Sequence, residues 1–470
     1  MHSKSSHNES SHNESIHTSP VGIATLDGPK GHWLLGSLPE FRAGMLSFLE
    51  RCRKEFGPTV AFRFGPLRII LICEPALVEE VLVTQNRNFR KHFGVRRLKP
   101  VVGNGLLRSE GAFWLRQRRL IQPAFSRELS AVFAEIVTRQ TLRLADEWTA
   151  QPQRDLYRDM TTLALQVAAE ALLGVEVGDD VTTISEALQE IHANTEQRIP
   201  RPIDWPMWIP SPLNLRLRRA MSRLNNVLDR LIQDRRGKGT DGRDALARML
   251  CLRDEEGKGM SDQQLRDEAM TLLLAGHDTT ANALTWSWYL LAQHPQVADK
   301  LCHEAVSVFG DRQPSADDVG KLRYCSNVFN ESMRLYPPVF LFGREAIRDC
   351  RIGDVAVRKG TTIFISQWLL HRDERFFENP LEFLPERWAD DFEKKLTPYA
   401  YVPFGGGPRI CIGKELALLE GALVLAILGS RFSIRLQQPE SIHPWPTITL
   451  RPAGRVDACV SARSVAEPAT

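Results

Sequence analysis

The stretch Phe404-Gly405-Gly406-Gly407-Pro408-Arg409-Ile410-Cys411-Ile412-Gly413 constrains this chain more than any other. Its glycines open backbone conformations closed to other residues and let the main chain approach a flat ligand. The turn carries one cysteine to the start of an apolar helical run, Lys414–Ser430. A cysteine near a helix N-terminus with an arginine beside it favours the thiolate over the thiol, and the thiolate is the metal-ligating form. The residues by themselves also allow a glycine turn ahead of a buried structural cysteine. The set Phe404, Gly407, Arg409, Cys411 and Gly413 is more specific. At average residue usage it arises by chance in on the order of one chain in ten thousand.

The rest of the chain bounds what such a loop can serve. Of 470 residues, 43% are apolar and 25% charged, the balance of a globular protein. The net charge of +3 is too small to argue for nucleic acid or for a general pull toward anionic membranes. Eight cysteines are sparse, and none forms a C-x-x-C pair. Neither a zinc ribbon nor a disulfide framework is signalled, so a reducing cytoplasm is the expected compartment. Residues 1–22 are rich in Ser, His, Asn and Glu, with Ser6–Ser10 repeated as Ser11–Ser15. That composition cannot offset its ordering entropy and reads as a disordered tail. His2, His7, His12 and His17 recur in it and could hold a metal weakly. No apolar h-region follows a basic stretch, so no signal peptide is expected, and no run of 18 apolar residues suggests a membrane-spanning helix. Residues 23–470 are expected to form one domain.

Helical periodicity dominates. Leu129–Trp148, Leu156–Leu173, Leu215–Asp234, Asp262–Gln293, Pro295–Phe309 and Tyr324–Leu335 read as helices. Leu67–Cys73, the Cys350–Ile365 patch, Phe432–Leu436 and Thr447–Leu450 read as strands. The fold class is therefore mainly α with small β-sheets.

Three further constellations stand out. Asp262–Gln293 is opened by Ser261 as N-cap. Its middle reads Ala275-Gly276-His277-Asp278-Thr279-Thr280. Gly276 weakens the helix by about 1 kcal/mol relative to Ala, and Thr279 can bond the carbonyl of Ala275. Together they predict a local distortion, and an acid followed by an alcohol there suits proton relay. His277 carries no expected role. Glu331 and Arg334 form an i,i+3 pair in an apolar helix ended by Pro337-Pro338. Trp114 and Arg118 share one face of a basic helix.

In this order and company the blocks resemble the cytochrome P-450 family from about Gly28 to Leu450. The resemblance implies that fold, with haem b between the long central helix and the helix following the cysteine loop. It implies Cys411 as the iron ligand, a thiolate whose electron push favours O–O cleavage. Phe404, Gly407 and Gly413 belong to the same loop, and Arg409 is implied at a haem propionate. Trp114, Arg118, Arg344 and His92 are implied around the haem edge. Asp278 and Thr279 are implied to deliver protons to O2. Glu331, Arg334 and Arg387, from Pro385-Glu386-Arg387-Trp388, are implied as a structural network. Leu274, Ala275, Phe340 and Leu341 are implied to line an apolar substrate pocket, for a fatty acid, terpenoid or steroid-like molecule. The Pro- and Trp-dense segment 199–212 stands where the family has a mobile lid, or is a packed loop. Electrons must come from another protein, since 59 residues (470 minus 411) follow Cys411. A ferredoxin or flavodoxin with its reductase is expected. A basic set of Arg87, Arg90, Lys91, Arg96, Arg97, Lys99, Arg116, Arg118, Arg119 and Lys414 offers it an electrostatic landing. Three functions remain open at this point. They are a monooxygenase inserting one oxygen atom, a peroxide-using peroxygenase or isomerase, and a non-catalytic haem sensor.

Overall fold

The computed structural model describes residues 26–125, 127–175, 179–198, 206–238 and 243–463. The Ser/His-rich tail and the first half of the 199–212 segment lie outside them. The helices Leu156–Leu173, Asp262–Gln293 and Pro295–Phe309 have the expected bounds. Others extend slightly beyond their periodic cores, to Arg127–Ala150, Pro212–Lys238 and Arg323–Leu335. The helix Asp179–Arg198 was not foreseen, because its sequence is largely polar.

Asp262–Gln293 is the axis of the molecule. It is buried on most sides, packs lengthwise on Leu156–Leu173, and is opened by a reciprocal capping box between Ser261 and Gln264. The expected distortion at Gly276 does not break it: helical structure is continuous from Asp262 to Gln293. Thr279 does donate to the Ala275 carbonyl at 2.7 Å. Thr271, Thr285 and Ser287 do the same one or two turns away, so their hydroxyls are satisfied inside the helix.

A five-stranded sheet stands to one side, in the order Thr59–Phe64, Leu67–Ile72, Thr362–Ser366, Leu341–Ala346, Phe89–Lys91. Its register places Lys91 opposite Arg344 and Arg90 opposite Glu345. The strand expected at Thr447–Leu450 is corrected. Pro444–Pro446 pairs with Leu450–Pro452, and Thr447, Ile448 and Thr449 form the bend between them. Three prolines lacking N–H confine this hairpin to two strands.

The helix Arg323–Leu335 is tied to the segment before the cysteine loop by a buried ion pair. Glu331 and Arg334 are both fully buried and meet through two 2.8 Å hydrogen bonds. Arg334 gives its remaining donors to the carbonyls of His371, Pro380 and Glu382 at 2.6–2.9 Å. All five donors of its fork are thereby used. Glu331 also accepts from Trp388 Nε1 at 2.8 Å, Leu384 N at 3.0 Å and Arg387 Nε at 3.4 Å. Sequence had supplied the three charged members; Trp388 and the carbonyls complete the set. Replacing Arg334 with Met strands the Glu331 charge in the interior at a cost of about 3–5 kcal/mol. The midpoint of urea unfolding is expected to fall accordingly, or the protein to be recovered unfolded.

Glu420, on the helix Lys414–Arg431, is 4% exposed and has one oxygen without a partner. Burial pushes its carboxyl from 4.5 up to about 8. The folded state therefore holds a proton that the unfolded chain releases, and stability falls as pH rises between those values. At most this costs about 1.4 kcal/mol per pH unit. Glu420→Gln should flatten the dependence. Thermal melts should show the variant more stable than the parent at pH 8, with the gap closing toward pH 5.

Candidate active site

The cysteine loop is shaped by close approach. Gly407 has φ +65°, and a Cβ there would lie 2.0 Å from the Leu82 carbonyl oxygen. Only glycine fits. Cys411 N donates to the Phe404 carbonyl at 3.0 Å, closing the loop, and Gly413 caps the helix Lys414–Arg431. Phe404 packs half-buried on the main core. Cys411 remains accessible to solvent although protein closes around its thiol, as at the floor of a cleft. Burial raises the thiol above its ordinary range, while the Gly413 N–H, Arg118 and Lys91 favour the thiolate.

Around that floor the charges do not balance. On one face of the sheet edge Arg90 meets Glu345 at 2.6 Å, a satisfied cross-strand pair. On the other, Lys91 stands directly opposite Arg344, two like charges. Such pairs are destabilising on their own. Arg344 is 8% exposed, and its one hydrogen bond among the described residues is to the neighbouring Gly343 carbonyl. Arg409 adds a third cation, stacked with its guanidinium carbon 4.3 Å from the Trp114 ring centre and bonded to Glu110 and the Ser109 carbonyl. Glu110 also accepts from Lys91 N at 2.6 Å and, among the described residues, is the one carboxylate acting on this group. With all four groups ionised, three cations and one carboxylate carry a formal charge of +2. Desolvation and mutual repulsion lower Lys91 well below its ordinary range and bring Arg344 down to about 10. A doubly anionic group bound here would relieve that strain.

The remaining edge residues are close by. Arg118 donates to the Ile410 carbonyl at 3.1 Å, one residue from Cys411. His92 accepts the Gly94 N–H at 3.2 Å, and burial with the nearby cations drives it down to about 3, so its ring is neutral.

On the central helix, Ala275 is exposed although the helix around it is buried, so open space reaches its middle. Leu274 and Thr279 are half-buried beside it. Asp278 lies on the same arc of the helix, about 60° from Ala275 and about 40° from Leu274 at about 100° per residue. It is 8% exposed and accepts from Thr449 Oγ1 at 2.7 Å, at the bend of the C-terminal hairpin. His277 packs edge-on against His192 with ring centres 5.7 Å apart. Phe340 is 3% exposed within the aromatic core beneath the sheet, and Leu341 packs half-buried on that core. Thr449, His192 and Glu110 were not singled out from sequence. Thr449 sits 171 residues from Asp278 in a segment without a motif.

The profile of the cytochrome P450 family matches residues 26–460. The chain belongs to the cytochrome P450 family. Members of this family bind haem, iron protoporphyrin IX, through a cysteine thiolate, and this P450 is a haem-dependent monooxygenase. It is 36% identical to cyclooctatin synthase of Streptomyces melanosporofaciens over 84% of this chain and 86% of that one. It is 35% identical to cyclooctat-9-en-7-ol 5-monooxygenase of the same organism, over 81% and 83%. Human cytochrome P450 4V2 is 31% identical over 93% of this chain and 86% of its own. Like other P450 monooxygenases it requires a redox partner and O2. No described helix is long and apolar enough to cross a membrane.

Asp278 is held by one hydroxyl from a distant hairpin. Thr449→Val removes that bond, worth about 1–2 kcal/mol. Product formation by this P450 should slow by roughly tenfold while its haem spectrum is unchanged; an unaltered rate would show that the Thr449 contact is idle.

Proposed function

We propose that Cys411 is the thiolate ligand of the haem iron, and that the two propionates of haem b are received by Lys91, Arg344 and Arg409. The observation that carries this is the gathering of Lys91, Arg344 and Arg409 around the single carboxylate of Glu110, a formal charge of +2, beside the cysteine that stands accessible on a glycine loop. It equals the charge of two carboxylates. Trp114, Arg118 and His92 flank the same edge. When bound, haem supplies the O2 activation that the family uses to insert one oxygen atom.

The protein supplies protons and a dry, shaped space. Thr279 is held by the Ala275 carbonyl beside the opening in the central helix, with its hydroxyl free to accept a second hydrogen bond. Asp278, the buried residue before it, serves as the acid that replenishes it, through a water or a side-chain swing. Leu274, Ala275 and Leu341 offer the apolar wall for substrate, with Phe340 backing it from the core. An open depression of about 430 Å³ is lined by Phe93, Pro100, Pro206 and Met207 and by four cations, Arg96, Arg97, Lys99 and Arg198, within the size range of small-molecule sites. It runs beneath the described half of the 199–212 segment, where Trp208 is 76% exposed, and fits a substrate entrance. A relative named for oxidising cyclooctat-9-en-7-ol favours a terpenoid among the apolar candidates.

The donor reads best as a small acidic ferredoxin or flavodoxin. Part of the basic set is already engaged: Arg116 with Asp254, Arg119 with Glu255, Arg90 and Arg96 with Glu345. Steering then falls to the remaining cations, such as exposed Arg87. The eight unpaired cysteines favour a reducing compartment, the cytoplasm.

The test is a carbon monoxide difference spectrum of the reduced protein, followed by reductase-driven turnover on terpenoid and fatty-acid panels. The red-shifted thiolate band should be present in the parent and absent in Cys411→Ala. Thr279→Ala should keep the band but spend electrons without product. A parent without the band removes the Cys411 assignment; unchanged coupling in Thr279→Ala removes the proton role.

A further inference from the structure

His192, on the helix Asp179–Arg198, faces His277 and Asp278 of the central helix. One ligand atom from each lies within 4.8 Å of the other two. None of the three is among the residues assigned to haem above; His277 and Asp278 are buried and His192 is half-buried.

Its hydrogen bonding is arranged in an uncommon way. His277 Nδ1 lies 3.1 Å from the Leu273 carbonyl, which fixes that nitrogen as the donor and leaves Nε2 with its lone pair. Burial and the neighbouring His192 hold His277 below its ordinary range, so the ring is neutral. His192 Nε2 is buried with no hydrogen-bond partner. Such an orphan inside a protein costs about 1–3 kcal/mol unless something binds it. Asp278 has one oxygen, Oδ2, taken by Thr449. The His277 Nε2 lone pair, the unpartnered His192 Nε2 and the Asp278 carboxylate thus converge, with His277 oriented from behind by the Leu273 carbonyl and Asp278 by the Thr449 hydroxyl. That outer arrangement is what metal-ligating histidines and carboxylates commonly have.

We propose that His192, His277 and Asp278 form a binding site for a divalent transition-metal ion, zinc above all, and that its occupancy inhibits the enzyme. Two histidines and a carboxylate suit zinc, with water as fourth ligand. Ligand atoms around tetrahedral zinc stand about 3.3–3.5 Å apart, as bond lengths of 2.0–2.1 Å dictate. Closing from the observed spread needs a shift of about 1 Å, which half-exposed His192 can supply from the surface side. The ion would take the Asp278 carboxylate out of proton traffic. This inhibitory consequence rests on the proton role of Asp278 given above; binding itself does not.

The experiment uses the full-length haem protein carrying His2→Ala, His7→Ala, His12→Ala and His17→Ala, so that tail histidines do not bind the probe. Zinc chloride is titrated calorimetrically, cobalt chloride is followed by its visible bands, and product per electron is measured with and without zinc. One ion per chain should bind, with tetrahedral cobalt bands. Affinity should fall at least tenfold in His192→Ala and in His277→Gln, each checked for an intact carbon monoxide spectrum. Zinc should lower product per electron reversibly with chelator, and His192→Ala should be insensitive. Absence of binding in the parent, or equal binding in His192→Ala, overturns the site. Binding that depends on His192 but leaves coupling unchanged overturns the inhibition and counts against the Asp278 relay, not against the site.

Discussion

The buried bond between Glu331 and Arg334 is the constraint from which much else follows. Neither side chain has any exposure, so neither charge can be solvated if the other leaves. Because Arg334 also gathers the carbonyls of His371, Pro380 and Glu382, it orders the irregular segment that leads to the cysteine loop. A segment with little regular structure needs such an external template for its backbone carbonyls. Loop position, and with it the place of Cys411, is inherited from a helix eighty residues earlier in the chain, by subtraction of 331 from 411.

The second organising element is electrostatic. The sheet edge presents a satisfied pair on one face, Arg90 with Glu345, and an unsatisfied one on the other, Lys91 with Arg344. Proteins tolerate like charges in register where a ligand completes them. Polypeptide alone would leave this edge repulsive, so with haem received there as proposed, cofactor and fold would be energetically joined at that corner.

Much of the architecture was legible in sequence because long apolar periodicities report burial directly. The bounds of Leu156–Leu173 and Asp262–Gln293 follow from it. The helix Asp179–Arg198 was missed since its polar residues blur that period, and the Thr447–Leu450 strand was misplaced because a β-rich run became a bend. At the site, motif residues such as Cys411, Thr279 and Arg334 were visible where chemistry demands a residue type at a fixed spacing. Glu110, Thr449 and His192 were not, because their roles come from tertiary proximity alone. Arg344 became persuasive only when the register set it against Lys91.

Thr449 has a consequence for biosynthesis. Its hydroxyl meets Asp278 from a hairpin translated 171 residues after it. Helix, sheet and cysteine loop can all have left the ribosome while Asp278 still lacks this partner. On the assignment proposed above, a nascent chain, or one cut short before the hairpin, would have the residues that receive haem and an acid without its positioning hydroxyl. Holding cofactor and spending electrons productively would then be completed at different moments in the life of the polypeptide.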